Sequence, residues 1–144
     1  MWDYLRRTKG ARGFFLPLSG GADSASTASL VASMAQLVFQ KAVVEGDESC
    51  MADLRRIVHK PDFMPEKFQD IVGELLVTTY LGTKNSSVDT RDRADRVAQG
   101  LGAQHFAVTI DEIYDSIYGL FEKATGKNPK FVTQGGTYTE DLAL

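Results

Sequence analysis

Only one cysteine, Cys50, occurs in the 144 residues, so no internal disulfide can form and no multi-cysteine metal centre can be built. A reducing compartment suits such a chain, and a cytoplasmic setting is expected. Charge of one sign is missing too: 16 Lys and Arg against 19 Asp and Glu leave a net charge of -3. That balance offers no broad basic surface, so neither a nucleic acid nor a membrane is an expected partner. No stretch approaches the roughly 18 consecutive apolar residues of a membrane span, and the opening MWDYLRRTKGARG lacks the apolar core of a secretory signal. There are only two histidines, and neither His59 nor His105 has a partner at metal or triad spacing. Cys50 lies in an acidic stretch that would not activate a thiol.

What is present is an alternation of elements. An apolar run at 14–18 predicts a buried strand, with Pro17 placed near its end. Apolar residues at Ala28, Leu30, Val31, Met34, Leu37 and Val38 predict a helix over 22–41. ELLVTTYL at 74–81 reads as a second strand, and Ser86 with Asp89 as an N-cap pair opening the next helix. That helix would turn Val88, Val97, Ala98 and Leu101 inward and leave Asp89, Asp92, Arg93 and Arg96 on a solvated face. HFAVTI at 105–110 predicts a third strand. Asp111 would cap a last helix whose stripe is Ile113, Ile117, Leu120, Phe121 and Ala124 and whose stop is Gly126. The polar segment 45–72, with two prolines, interrupts this alternation and is expected to be a surface insertion.

Strands alternating with helices predict an α/β fold, a parallel sheet flanked by helices, in which ligands sit at the carboxyl ends of the strands. The segment GFFLPLSGGADSASTASLV at 13–31 places its most distinctive residues at such an end. Gly20 and Gly21 let the backbone turn and approach a ligand closely. The free N–H groups and dipole of the helix that follows favour an anion. Ser19 and Ser24 add hydroxyls, which makes a phosphate cradle. Asp23 conflicts with bare phosphate, and a magnesium ion shared between carboxylate and phosphates removes the conflict. Other loop classes do not fit: no lysine follows the glycines as in a Walker loop, G-x-G-x-x-G is absent, and Ser19 follows Pro17-Leu18 rather than a G-x of a nucleophile elbow.

Ser19, Gly20, Gly21, Ala22, Asp23 and Ser24 spell S-G-G-x-D-S, and the chain resembles the ATP pyrophosphatase superfamily that carries this signature. WDYLRR, the KNSS loop after the second strand and the closing GGTYTEDLAL make it similar to the N-terminal part of the synthetase domain of eukaryotic-type, glutamine-dependent NAD synthetase. The resemblance implies a three-layer α/β/α, adenine nucleotide alpha hydrolase-like (Rossmann-like) fold with ATP and Mg2+ as cofactors. It implies a ligase that adenylylates deamido-NAD, releases pyrophosphate, and lets ammonia from glutamine displace AMP to give NAD. Carried over, Ser19, Gly20, Gly21, Asp23 and Ser24 hold the pyrophosphate part of ATP, with Asp23 on magnesium. Tyr80, Leu81, Lys84, Asn85 and Ser86 would flank the adenosine, with ordinary loop residues the other reading of Lys84 and Asn85, and Glu140 and Asp141 would lie toward deamido-NAD or else cap the helix they open.

Full members of the family are homo-oligomeric and carry a glutaminase domain, which these 144 residues do not contain. Trp2, Tyr4 and Leu5 form an apolar face with nothing before it, and the chain is expected to be a truncated part of the synthetase domain. Two other outcomes stay open at this point. One is a catalytically silent nucleotide-binding or interaction module, and the other is a different superfamily member such as a thiouridylase or an asparagine or GMP synthetase.

Overall fold

The computed structural model describes residues 1–137 and divides into two compact units, Met1–Thr109 and Ile110–Leu144. The first opens with helix α1, Trp2–Arg7, and strand β1, Phe14–Pro17. Helix α2, Ala22–Phe39, runs on through a π-helical turn, Gln40–Val44. Helices α3, Glu48–Val58, and α4, Phe68–Leu75, follow, and α4 passes directly into strand β2, Leu76–Gly82. Helix α5, Val88–Leu101, and strand β3, Gln104–Thr109, complete the unit.

The three strands form a parallel sheet in the order β1-β2-β3, with Phe14 opposite Leu76 and Val77 opposite Gln104. Sequential neighbours joined by right-handed crossovers place their helices on one side of a sheet. Accordingly α2 and α5 touch each other and both touch the strands. Ala28, Val31, Ala35, Ala94 and Ala98 are buried there together with Leu76, Thr78 and Tyr80. Alternate residues point the other way, and on that face Phe15, Leu81, Phe106 and Val108 are exposed.

The segment 45–72 is not peripheral, contrary to the surface insertion expected from its composition. Met51, Leu54, Ile57 and Val58 on α3 and Ile71 and Val72 on α4 are all buried in the core, at helical spacing. Its charges are turned outward: Asp53 takes Arg6 Nε at 2.6 Å and Arg56 Nη2 at 3.0 Å, which ties α1 to α3. Asp47 caps α3 by accepting the Cys50 N–H at 2.9 Å. Cys50 itself is half-buried, and burial, then the Asp47 and Asp53 carboxylates, push its thiol up from its ordinary value.

By length and composition Ala22–Val44 is long and apolar enough to cross a membrane, although no continuous apolar run exists there. Part of that apolar character is buried, at Ala28, Val31, Ala32, Ala35 and Val38, while Leu30, Leu37 and Val44 are exposed. Two capping residues also differ from expectation. Ser87, not Ser86, caps α5 by accepting from Asp89 N at 3.2 Å, and Val88 is exposed rather than inward. In the second unit α6, Asp111–Thr125, has Ile110 at its N-cap and Asp111 within its first turn. None of its residues is buried, so the predicted stripe is not a core stripe. Tyr118 donates toward Asn128 Oδ1 at 2.6 Å and stands within 5.9 Å of the Tyr114 ring, which closes the turn after the helix.

Candidate functional site

Leu18, buried at the end of β1, donates its N–H to the Thr79 carbonyl at 2.7 Å and fixes where the loop begins. The chain then turns through Gly20 at φ +78°, a conformation natural to glycine. The need is doubled by packing, since a Cβ at Gly20 would collide with the Thr90 carbonyl of α5. Gly21 is the N-cap of α2 and supplies no side-chain cap.

The two serines form an internal clamp. The Ser24 hydroxyl donates to the Gly21 carbonyl at 3.2 Å and accepts the Ser19 N–H at 3.3 Å. Its one proton being used, the 3.1 Å contact between the two hydroxyls has Ser19 as donor. Ser19 Oγ also accepts the Gly21 N–H at 3.3 Å. The hydroxyls therefore shape the loop, and the donors left for a ligand are backbone N–H groups. Those of Ala22, Asp23 and Ser24 open α2 and have no intrahelical acceptor, which is the arrangement that binds phosphate.

Asp23 lies exposed on the first turn of α2, and its carboxylate has no ion-pair partner among the described residues. Described residues contain no cluster of three or more His, Cys, Asp or Glu able to hold a metal alone. One free carboxylate beside a phosphate cradle fits magnesium, which takes one or two carboxylates and completes its shell with phosphate oxygens and water.

The loop after β2 closes on itself. Ser86 Oγ accepts the Thr83 N–H at 2.8 Å, and Thr83 Oγ1 accepts the Asn85 N–H at 3.2 Å. Beside it, at the carboxyl ends of β2 and β3, lies a crevice of about 120 Å³ lined by Gly82, Thr83, Ser86, Ser87, Arg91 and Thr109 among others. Lys84 and Asn85 are exposed near it, while Leu81 points to the other face of the sheet. Tyr80 is buried under α5, with its hydroxyl 2.8 Å from Thr90 Oγ1. The structure thus brings residues 19–24 and the loop 83–87 to the same end of the sheet. Glu140 and Asp141 lie outside the described residues.

Two features escaped the sequence. Arg91 and Thr90 sit among the charges of α5, which read as a plain solvated face, yet Arg91 lines the crevice and Thr90 is bonded inward. His105 does have partners: Nδ1 lies 2.7 Å from Thr78 Oγ1 and Nε2 lies 3.1 Å from Asp95 Oδ1. The Nε2 approach is close but not aligned as a hydrogen bond. This outline of a triad is structural, because Thr78 is fully buried and its hydroxyl also serves the Gln104 carbonyl.

The sequence is 46% identical over 145 residues to a glutamine-dependent NAD(+) synthetase of Dictyostelium discoideum, covering 100% of this chain and 20% of that protein. The human protein of the same name is 44% identical over 144 residues, with 100% of this chain and 20% of that protein covered. Over its whole length the chain matches glutamine-dependent NAD(+) synthetase. It spans about a fifth of the length of these relatives. No family model matches. The crystal structure of a glutamine-dependent NAD(+) synthetase from Cytophaga hutchinsonii shares the fold. The TM-score is 0.77 at 24% identity, over 99% of this chain and 24% of that one. The parallel α/β architecture, Rossmann-like in kind, is therefore one that this chain shares with part of that NAD synthetase.

Proposed function

We propose that this chain is the ATP-handling part of an NAD synthetase, a carbon-nitrogen ligase that amidates deamido-NAD. The observation that carries the proposal is the loop 19–24: a glycine turn closed by two serines, opening a helix whose first N–H groups lack intrahelical acceptors, beside Asp23, which has no ion-pair partner among the described residues. In the reaction, a carboxylate oxygen of deamido-NAD attacks the α-phosphorus of ATP and pyrophosphate leaves. Ammonia, supplied from glutamine by a glutaminase domain, then attacks the acyl carbon, and AMP departs to give NAD.

The N–H groups of Ala22, Asp23 and Ser24 would meet the β- and γ-phosphates. Charge gathers on the departing pyrophosphate, so donors already aimed at it stabilise the transition state more than the ground state. Ser19 and Ser24 hold the loop in that shape, and Gly20 sets it against α5. Asp23 would hold magnesium, which neutralises charge on the phosphates when bound. The loop 83–87 would border the adenosine, with Lys84, Asn85 and Ser86 on its open side.

A second function, nucleotide binding without turnover, draws on Asp23 being the one carboxylate of the loop 19–24, with no cluster of metal-ligating side chains among the described residues. Calorimetric titration of the chain with Mg-ATP, in wild type and Asp23→Ala, tests binding. Mass spectrometry for NAD after incubation with ATP, deamido-NAD and ammonium tests turnover. Wild-type binding that Asp23→Ala loses supports the ATP site, and NAD production then separates ligase from silent module. Equal binding by both proteins refutes the role of Asp23.

A further inference from the structure

Thr90, in the first turn of α5, touches both ligand loops at once. Its hydroxyl donates to the Ser87 carbonyl at 2.7 Å, so its proton is already committed. The contact with Tyr80 at 2.8 Å must then have Tyr80 as donor, and the bonds run in one direction, from Tyr80 to Thr90 to Ser87. The Tyr80 ring in turn lies over Gly82, where a Cβ would come within 2.7 Å of Cε1. On its other side, the Thr90 carbonyl presses against Gly20 so closely that no side chain fits between them. Tyr80 is buried, and none of these hydroxyls is needed to satisfy the cradle itself.

We propose that Thr90 is a positioning residue that sets the spacing between the phosphate cradle at 19–24 and the nucleoside-side loop at 83–87. The inference rests on the ATP-binding function proposed above. Its consequence follows from the geometry: a ligand that bridges both loops gains from their fixed separation, whereas one that occupies a single loop does not. Holding two subsites at a matched distance makes the second contact effectively intramolecular. Loosening the spacing should therefore weaken ATP selectively.

The experiment compares the calorimetric affinities of Mg-ATP and Mg-pyrophosphate for the full chain in wild type, Thr90→Val, Thr90→Ser and Tyr80→Phe. Loss of one hydroxyl pair corresponds to about a five- to tenfold change in affinity. Thr90→Val should weaken ATP by about that factor and leave pyrophosphate within about twofold, while Thr90→Ser, which keeps the hydroxyl, should restore ATP. If Thr90→Val does not fold, Tyr80→Phe carries the same comparison, because it removes the donor at the head of the chain of bonds. Equal losses for both ligands would show a merely structural residue and overturn the proposal, as would unchanged ATP affinity. Failure of the wild type to bind either ligand sinks the ATP-site function itself, which is a distinct result.

Discussion

Replacing Gly20 by alanine places a side chain where the backbone leaves no room for one. Two costs combine. The left-handed conformation at φ +78° costs a non-glycine residue about 1–2 kcal/mol. The new Cβ also meets the Thr90 carbonyl group, whose carbon would lie 3.0 Å away, and overpacking of this kind costs about 1–3 kcal/mol. Thr90 cannot yield freely, since its hydroxyl is bonded to Ser87 and Tyr80. The total is about 2–5 kcal/mol, a large share of the roughly 5–15 kcal/mol that holds an ordinary domain folded. Gly21→Ala is the internal control. Its φ of -90° suits alanine, and its Cβ would meet only the Ser19 hydroxyl, at 3.3 Å and with no backbone atom in the way, so the expected cost is about 1 kcal/mol or less from poorer capping. Urea denaturation followed by circular dichroism reads both variants directly. Equal midpoint shifts for Gly20→Ala and Gly21→Ala would refute the packing of the cradle against α5.

Three further outcomes test the rest of the structure. Leu54→Ala and Ile71→Ala should each cost about 2–5 kcal/mol in the same assay, because both side chains are fully buried; losses near zero would return 45–72 to the surface. Burial pushes the Asp53 carboxyl up, but hydrogen bonds and charge from Arg56 and Arg6 outweigh it and hold the group below its ordinary 3.8. A depressed carboxyl adds stability above its unfolded value and loses it as pH falls through the folded value. The stability gap between wild type and Asp53→Asn should therefore be intact at pH 6 and shrink below pH 3.8, and a gap constant down to pH 2 would contradict the pairing. Cys50, with its thiol pushed up by burial first, should react with a disulfide reagent at neutral pH more slowly in the native chain than in urea, and equal rates would count against its half-buried place.

Legibility in the sequence followed how local the physics was. The loop 19–24 could be read because glycine turns, a helix N-terminus and an acidic residue act over six consecutive positions, and β1, α2, β2, α5 and β3 all stand close to where periodicity placed them. The role of the serines could not be read in the same way: only the folded geometry shows that each hydroxyl is spent on the other and on Gly21. The segment 45–72 misled for a different reason. Its buried Met51, Leu54, Ile57 and Val58 keep helical spacing, but Asp53, Arg55 and Arg56 stand between them in the chain, so a one-sided helix looks like a polar stretch. Thr90, Arg91 and the partners of His105 were hidden because they depend on which strand lies beside which. Residues 78 and 105 are 27 positions apart and become neighbours only through the parallel register of β2 and β3. Tyr80 comes within reach of Thr90 where α5 packs back on β2. The turn at 19–24 is therefore carried by six consecutive residues, while its spacing from the loop 83–87 is a property of the sheet and cannot be carried by either loop alone.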